Sequence, residues 1–193
     1  MTETPNPHIV DADTITGEMR PIRRCVVALG SNMGERLQKI QGAVAALADT
    51  PGVFVTAVSS VYETEPVDAP AGSESFYNAV VLLDSTLPAH LLLDRALAIE
   101  AAFGRQRTGE RNEPRPLDVD LIVVGKRKAA EEDLTLPHPR AHERAFVLVP
   151  WLAVDGDATL TVGGRQRPVA DLLDALDPAE RDGVRRTDLV LGT

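Results

Sequence analysis

The constraint that most limits this fold is the order in which helical stripes and β-rich runs alternate. "CVVALG", opening at Cys25, is a short apolar strand. In the stretch after it, Leu37, Ile40, Val44 and Leu47 recur at helical spacing. Asn32 followed by Glu35 reads as a capping box with Asn in place of Ser or Thr. "GVFVTAVSSVYET" is rich in β-branched residues and reads as one long strand, "EPVDAPAGSES" as a loop and "FYNAVVLLDS" as a further strand. "LPAHLLLDRALAIEAAFG" gives a second helix. Pro88 suits its first turn, Leu92, Ala96, Ile99 and Phe103 form its stripe, and Gly104 stops it. An arginine-rich loop then leads to the strand "LDVDLIVVG". The order β-α-β-β-α-β is the ferredoxin-like α+β arrangement, an antiparallel sheet with both helices packed on one face.

Beyond this core, "KRKAAEEDLTLPHPRAHERAFVLVPWLAV" predicts a turn, a short extended piece and a helix ending near Pro150. "ATLTVGGRQRP" predicts a hairpin and "VADLLDAL" a short helix, a C-terminal elaboration to which the sequence assigns no role. Residues 1–22 are polar and contain proline, and read as a flexible lead before a single domain at 23–193. With 44% hydrophobic and 25% charged residues, that domain has the composition to bury a core. No apolar run approaches the roughly 18 residues of a membrane span. The first residues lack the basic-then-apolar order of a secretion signal. One cysteine excludes an intramolecular disulfide and a multi-cysteine metal site, and Cys25 reads as a core strand residue. A cytoplasmic location is the expectation.

The formal net charge of −9 argues against nucleic-acid or anionic-membrane binding. Even so, Arg105, Arg107, Arg111 and Arg115 gather just before two aspartates, which suits a small anionic ligand; the plainer alternative is a solvated loop. On a strand, residues two apart share a face at about 7 Å. Asp118 and Asp120 therefore project together, and Leu117, Val119 and Leu121 face a core. Two neighbouring carboxylates need a positive partner. One option is a divalent cation such as Mg²⁺, which takes one or two carboxylates plus phosphates and water. The other is ion pairing to Arg115 or Arg144. "LGSNMGERL" occupies the place of a phosphate loop but carries neither a Walker lysine nor G-x-G-x-x-G. Gly30–Ser31 lies too far from the aspartates for a polymerase-β-like nucleotidyltransferase.

Five blocks, "ALGSNMGER", "VSSVYETEPV", "FYNAVV", "GRQRTGERNEPRPLDVDLIVVG" and "LTLPHPRAHERAFVLVPW", together resemble the 6-hydroxymethyl-7,8-dihydropterin pyrophosphokinase family of folate biosynthesis, from about Arg24 to Trp151. The resemblance implies transfer of diphosphate from ATP to the pterin hydroxymethyl group, releasing AMP. It implies that Asp118 and Asp120 hold two Mg²⁺ ions with ATP, and that Arg105 and Arg115 neutralise the transferring group. Arg107, Arg111, Arg115, His138 and Arg144 match phosphate and nucleotide contacts, and Glu100 a helix carboxylate near the ATP. Leu121 and Thr135 match positions whose backbone touches the adenine. Phe76 and Phe146 match the aromatic pair around the pterin, with Tyr77 in place of Phe76 if the register slips by one. Asn78 suits the pterin amide edge, and Thr64, Pro66 and Val67 match the loop that closes the pocket.

Two positions depart from the family pattern: Asn112-Glu113 stands where Trp-Gly is common, and Pro139 where Tyr often follows the histidine. The implied partners are ATP and the pterin, with no nucleic acid and no membrane. The chain reads as a monomer, open to weak association with other folate-pathway enzymes. The competing readings are a ferredoxin-like module that binds nucleotide or pterin without turnover, and a different Mg²⁺-dependent phosphotransferase.

Overall fold

A computed structural model describes residues 21–66, 74–105 and 116–192. The core runs β1 (Arg23–Ser31), α1 (Arg36–Ala48), β2 (Val53–Val58), β3 (Tyr62–Thr64), β4 (Phe76–Ser85), α2 (Ala89–Ala102) and β5 (Asp118–Val124). Then come the two-stranded ladder β6 (Ala129–Ala130) with β7 (Thr135–Leu136), a short 3-10 turn at Ala141–Glu143, and α3 (Ala145–Val154). The chain ends with the hairpin β8 (Thr159–Val162) and β9 (Arg165–Pro168), then α4 (Val169–Asp174), α5 (Pro178–Asp182) and β10 (Arg185–Arg186).

β1 lies at the centre of the sheet, antiparallel to β4 on one side and β5 on the other. That is the ferredoxin-like order expected from the element pattern. One face carries the alternate residues Cys25, Val27 and Leu29 of β1, Val81 and Leu83 of β4, and Val119 and Leu121 of β5. They pack against Ile40, Val44 and Leu47 of α1 and Leu92, Ala96 and Ile99 of α2. Both predicted stripes are thus core, and Cys25 is fully buried, with its thiol pushed up to about 12 by that burial. A side chain at Gly42 would collide with the Phe103 ring, so the missing Cβ is what lets α1 approach the end of α2.

The other face carries Val26, Ala28, Val80, Leu82 and Ile122. On it lie Val147, Leu148 and Trp151 of α3, Leu160 of the β8–β9 hairpin and Val169 and Leu172 of α4. The C-terminal elaboration is therefore the third layer of the protein. Its last strand also joins the sheet: β10 pairs with β3, Leu191 is buried in the helix-face core, and Gln41 exchanges two hydrogen bonds with Gly192 (2.8 and 2.9 Å).

Three local expectations are corrected. The run "GVFVTAVSSVYET" is two strands, not one: β2 pairs with the second half of β4 and β3 with its first half. At the break, the Ser59 hydroxyl accepts the Val80 N–H (2.9 Å), taking a place a backbone carbonyl would hold in a continuous ladder. No capping box starts α1: the helix begins at Arg36 with Glu35 as its N-cap residue, just past Gly34 (φ +59°), so Asn32 lies ahead of the cap position. Asn32 is buried. Finally, α3 continues through Pro150 to Val154. Proline denies the Phe146 carbonyl its helical donor. The helix persists because Ala145, Val147, Leu148, Pro150 and Trp151 are all buried, so packing outweighs one lost bond.

Candidate active site

The candidate groups stand on the α3 face of the sheet. Asp118 of β5 lies opposite Gly30 of β1, and Gly30 lies opposite Asn78 of β4. Asp120 lies opposite Ala28. Because residues across a ladder share a face, Asn78, Asp118 and Asp120 project to one side, as the sequence spacing predicts. Gly30 forms the floor between amide and carboxylate: a Cβ there would lie 3.6 Å from Asn78 Oδ1 and 3.7 Å from Asp118 Cβ. The neighbouring Ser31, fully buried, donates its hydroxyl to the Pro116 carbonyl at 2.6 Å and so fixes the chain just ahead of Asp118. Sequence reasoning missed both residues as parts of the site. A glycine at the end of a buried strand was the available signal.

Each aspartate has an arginine. Arg105 Nη1 contacts Asp118 Oδ1 and also donates to Glu100 Oε1 at 2.6 Å. The same Glu100 oxygen accepts the Val119 backbone N–H at 2.9 Å. Glu100, only 2% exposed, thereby ties the end of α2 to β5 and aims Arg105 at the carboxylate pair. Arg144 Nη1 donates to Asp120 Oδ2 at 3.4 Å. Burial, and then the charge of Asp118, push the Asp120 carboxyl up to about 6 despite this arginine. Its side chain still exposes 35% of its surface, so an incoming cation can reach its oxygens. The pair of carboxylates thus retains repulsion that two arginines do not remove, which is the donor chemistry a divalent cation satisfies.

His138 donates its backbone N–H to the Ile122 carbonyl (2.9 Å), which places it beside β5. Its Nδ1 accepts the Arg140 N–H at 3.1 Å, leaving Nε2 as the N–H of the neutral ring. Burial and the nearby Arg144 charge bring its pKa down to about 4, so at neutral pH it is an uncharged donor.

Among the aromatic expectations, Phe76 shares the Asn78 face because the two are separated by one residue of β4. Tyr77 points the other way, packs against the helix-face core and lies under the Arg36 guanidinium (3.8 Å from Cζ to the ring centroid). Tyr77 therefore does not share the face of Asn78, Asp118 and Asp120. Phe146 packs at the margin of the α3-face core, with Arg144 Cζ 5.5 Å from its ring centroid. Thr64 Oγ1 accepts from Asn78 Nδ2 at 2.9 Å, and Pro66 follows half-buried. Leu121 turns its side chain into the helix-face core, and Thr135 lies exposed on β7. Val67, Arg107, Arg111, Arg115 and the pair Asn112-Glu113 lie outside the described residues.

Two other features lie outside the carboxylate centre, the first of them reaching the site only at His138. A cleft of about 430 Å³ lies between the β6–β7 and β8–β9 hairpins, lined in part by Lys128, Leu136, His138 and Leu160; it includes none of the carboxylates. His90, Glu131 and Asp133 bring ligand atoms within 4.8 Å of one another at the surface. Glu131 is already paired with Arg127 (3.2 Å), and His90 begins α2, about 15 Å of helix from Glu100.

The comparisons with known proteins decide the family. Residues 26–156 match the model of 7,8-dihydro-6-hydroxymethylpterin-pyrophosphokinase. This chain belongs to that family. A Mycobacterium leprae 2-amino-4-hydroxy-6-hydroxymethyldihydropteridine pyrophosphokinase is 49% identical over 179 residues, covering 87% of this chain and 91% of that protein. A folate synthesis bifunctional protein of Arabidopsis thaliana is 40% identical over 139 residues, 72% of this chain and 28% of that one. A crystal structure of wild-type Plasmodium falciparum HPPK-DHPS superposes with a TM-score of 0.59 at 12% identity, covering 82% of this chain and 45% of that one. At that identity the likeness speaks to the fold alone, and this chain spans less than half of that longer protein. No helix among the described residues of this chain is long and apolar enough to cross a membrane.

Proposed function

We propose that the chain transfers the terminal diphosphate of ATP to the hydroxymethyl group of 6-hydroxymethyl-7,8-dihydropterin, in the biosynthesis of tetrahydrofolate. The pterin hydroxyl oxygen forms a bond to the β-phosphorus. The bond from that phosphorus to the oxygen bridging to the α-phosphate breaks, AMP leaves, and the hydroxyl proton passes to solvent. The observation that carries this reading is the juxtaposition, on one sheet face, of the Asp118–Asp120 pair with Asn78 and Phe76. Gly30 lies between Asn78 and Asp118, so a centre for anions and a site for a planar ring would adjoin there.

Asp118 and Asp120 are the residues that would hold Mg²⁺ with ATP. Bound there, the ions would neutralise the triphosphate and the charge developing on the transferred group. Arg105 and Arg144, already aimed at the carboxylates, stand where phosphate oxygens would arrive. His138 offers its neutral Nε2–H to a phosphate oxygen. Asn78 donates and accepts at the pterin edge, while Phe76 and Phe146 supply the apolar walls. Residues 23–193 would act as one unit in this, since the C-terminal elements form the layer that carries α3.

The test is to mix the chain with ATP, Mg²⁺ and 6-hydroxymethyl-7,8-dihydropterin and to follow nucleotides. AMP formed only when pterin and metal are both present is the expected result. ADP instead of AMP would mean an ordinary kinase, and pterin binding without nucleotide turnover a binding module. Phe76→Ala is expected to raise the pterin KM about tenfold, since it removes one stacking wall. The exposed Phe54→Ala serves as a control and should leave that KM unchanged.

A further inference from the structure

Arg36 opens α1, on the opposite face of the sheet from Asp118 and Asn78, and is bound at once to Glu63 of β3 and to Ser75, the residue that leads into β4. Its Nη1 donates to the Ser75 carbonyl (2.6 Å) and Ser75 Oγ (2.7 Å), and lies 3.4 Å from Glu63 Oε1. Ser75 Oγ in turn donates to Glu63 Oε1 at 2.5 Å. The guanidinium lies over the Tyr77 ring at 3.8 Å. Arg185 Nη2 of the C-terminal strand lies 3.9 Å from Glu63 Oε2, an ion pair, while donating to Glu65 Oε1 at 2.8 Å. The Ser75 hydrogen bond, then Arg36 and Arg185, hold the Glu63 carboxyl below the usual carboxylate range, so it is charged at neutral pH.

The placement of this cluster gives it a consequence on the other face. Glu63 lies opposite Tyr77 in the β3–β4 ladder; their neighbours Thr64, Phe76 and Asn78 point to the site. That ladder is only three residues long, Tyr62–Asn78 to Thr64–Phe76. So short a strand pair contributes little stability of its own. A guanidinium that joins Glu63 of β3 to Ser75, immediately before β4, and covers the Tyr77 ring fixes the register and twist of that ladder.

We propose that Arg36, acting through Glu63, Ser75 and Tyr77, is a positioning residue for the pterin: it sets the orientation of Phe76, Asn78 and Thr64 from behind the sheet, without touching substrate. The proposal rests on the functional reading above and specifies which substrate the cluster serves. Arg36→Met keeps length and helix propensity but removes the fork. The pterin KM should rise about tenfold, with the ATP KM and kcat within about twofold of the parent, an effect comparable to the loss of one charge-assisted hydrogen-bond group. Arg36→Lys, which keeps the charge but not the fork or the stacking, should fall between. Glu63→Gln should also raise the pterin KM, and combining it with Arg36→Met should add little, because the two act as one unit.

Hydrogen exchange gives a readout independent of turnover. In Arg36→Met the amides of residues 62–64 and 76–78 should exchange faster, with those of 119–122 unchanged. Uniformly faster exchange, or parallel losses for both substrates, would mean a merely structural residue and overturn the proposal. So would an unchanged pterin KM. A parent chain that does not turn over pterin at all would fail the functional reading itself, and the positioning role with it, whatever the exchange shows.

Discussion

Asp120→Asn should abolish diphosphate transfer, by about a thousandfold or more, and yet raise the melting temperature of the metal-free chain. The loss follows from removing one of two carboxylates that would hold Mg²⁺ against ATP; deleting a single preorganised electrostatic group at a reacting centre costs about 10²–10³ in rate, and a metal ligand at least that. The gain in stability follows from the Asp120 carboxyl being pushed up to about 6 by burial and by Asp118. Its folded pKa lies above the unfolded value of about 3.9. Ionised Asp120 therefore weakens the fold at pH above 6, and that penalty fades as acid protonates it between about 6 and 3.9. The melting advantage of Asp120→Asn, measured with chelator present, should be greatest near pH 8 and gone by about pH 4. An advantage that grows towards low pH would contradict this electrostatic account. Asp118→Ala should also lose turnover with the fold intact. Near-normal activity in both variants would remove the metal assignment.

Glu100→Ala should be the most destabilising single change at the site. A negative charge near a helix C-terminus is unfavoured by the helix dipole. Glu100 is nevertheless buried in the last turns of α2, because Arg105 and the Val119 N–H both bond its Oε1. Removing it leaves a buried N–H without its acceptor and Arg105 without its guide, a loss of about 3 kcal/mol. For a chain of this size that is a fall of roughly 10 °C in melting temperature. Glu100→Gln keeps the shape and an acceptor for Val119 and should lose about half as much. Both variants should also lower kcat more than either KM, since Arg105 would no longer be held at the reacting centre. A melting temperature within a degree of the parent would show that the Glu100–Arg105–Val119 junction is not what joins α2 to β5.

Much of the molecule was legible in one dimension. The periods of 3.6 and 2 are local properties of the chain, so the β-α-β-β-α-β order followed from the apolar residues alone. For the same reason Asp118 and Asp120 could be placed on one face, and Leu117, Val119 and Leu121 on the other. The five blocks carried the family resemblance, and the family match over residues 26–156 agrees with it. One error was local, the Gly34 turn ahead of α1; the other two were at places where long-range partners overrode local pattern. Ser59 took the Val80 N–H and broke a run that composition read as one strand. The burial of α3 carried a helix through Pro150.

What only the tertiary structure decided was pairing. Arg144 meets Asp120 across 24 positions, and Arg36 meets Ser75 across 39. Arg186 of the C-terminal strand meets Ser60 across 126. The sequence offered Arg144 only as one of two candidate partners for the aspartates, and nothing in local sequence distinguishes Arg36 or Arg186 from solvated arginines. The sequence by itself determined which elements form and which face each side chain takes, because backbone geometry repeats every few residues. The sheet decided which charges meet, because a charge is compensated only by groups that folding brings within a few ångströms of it.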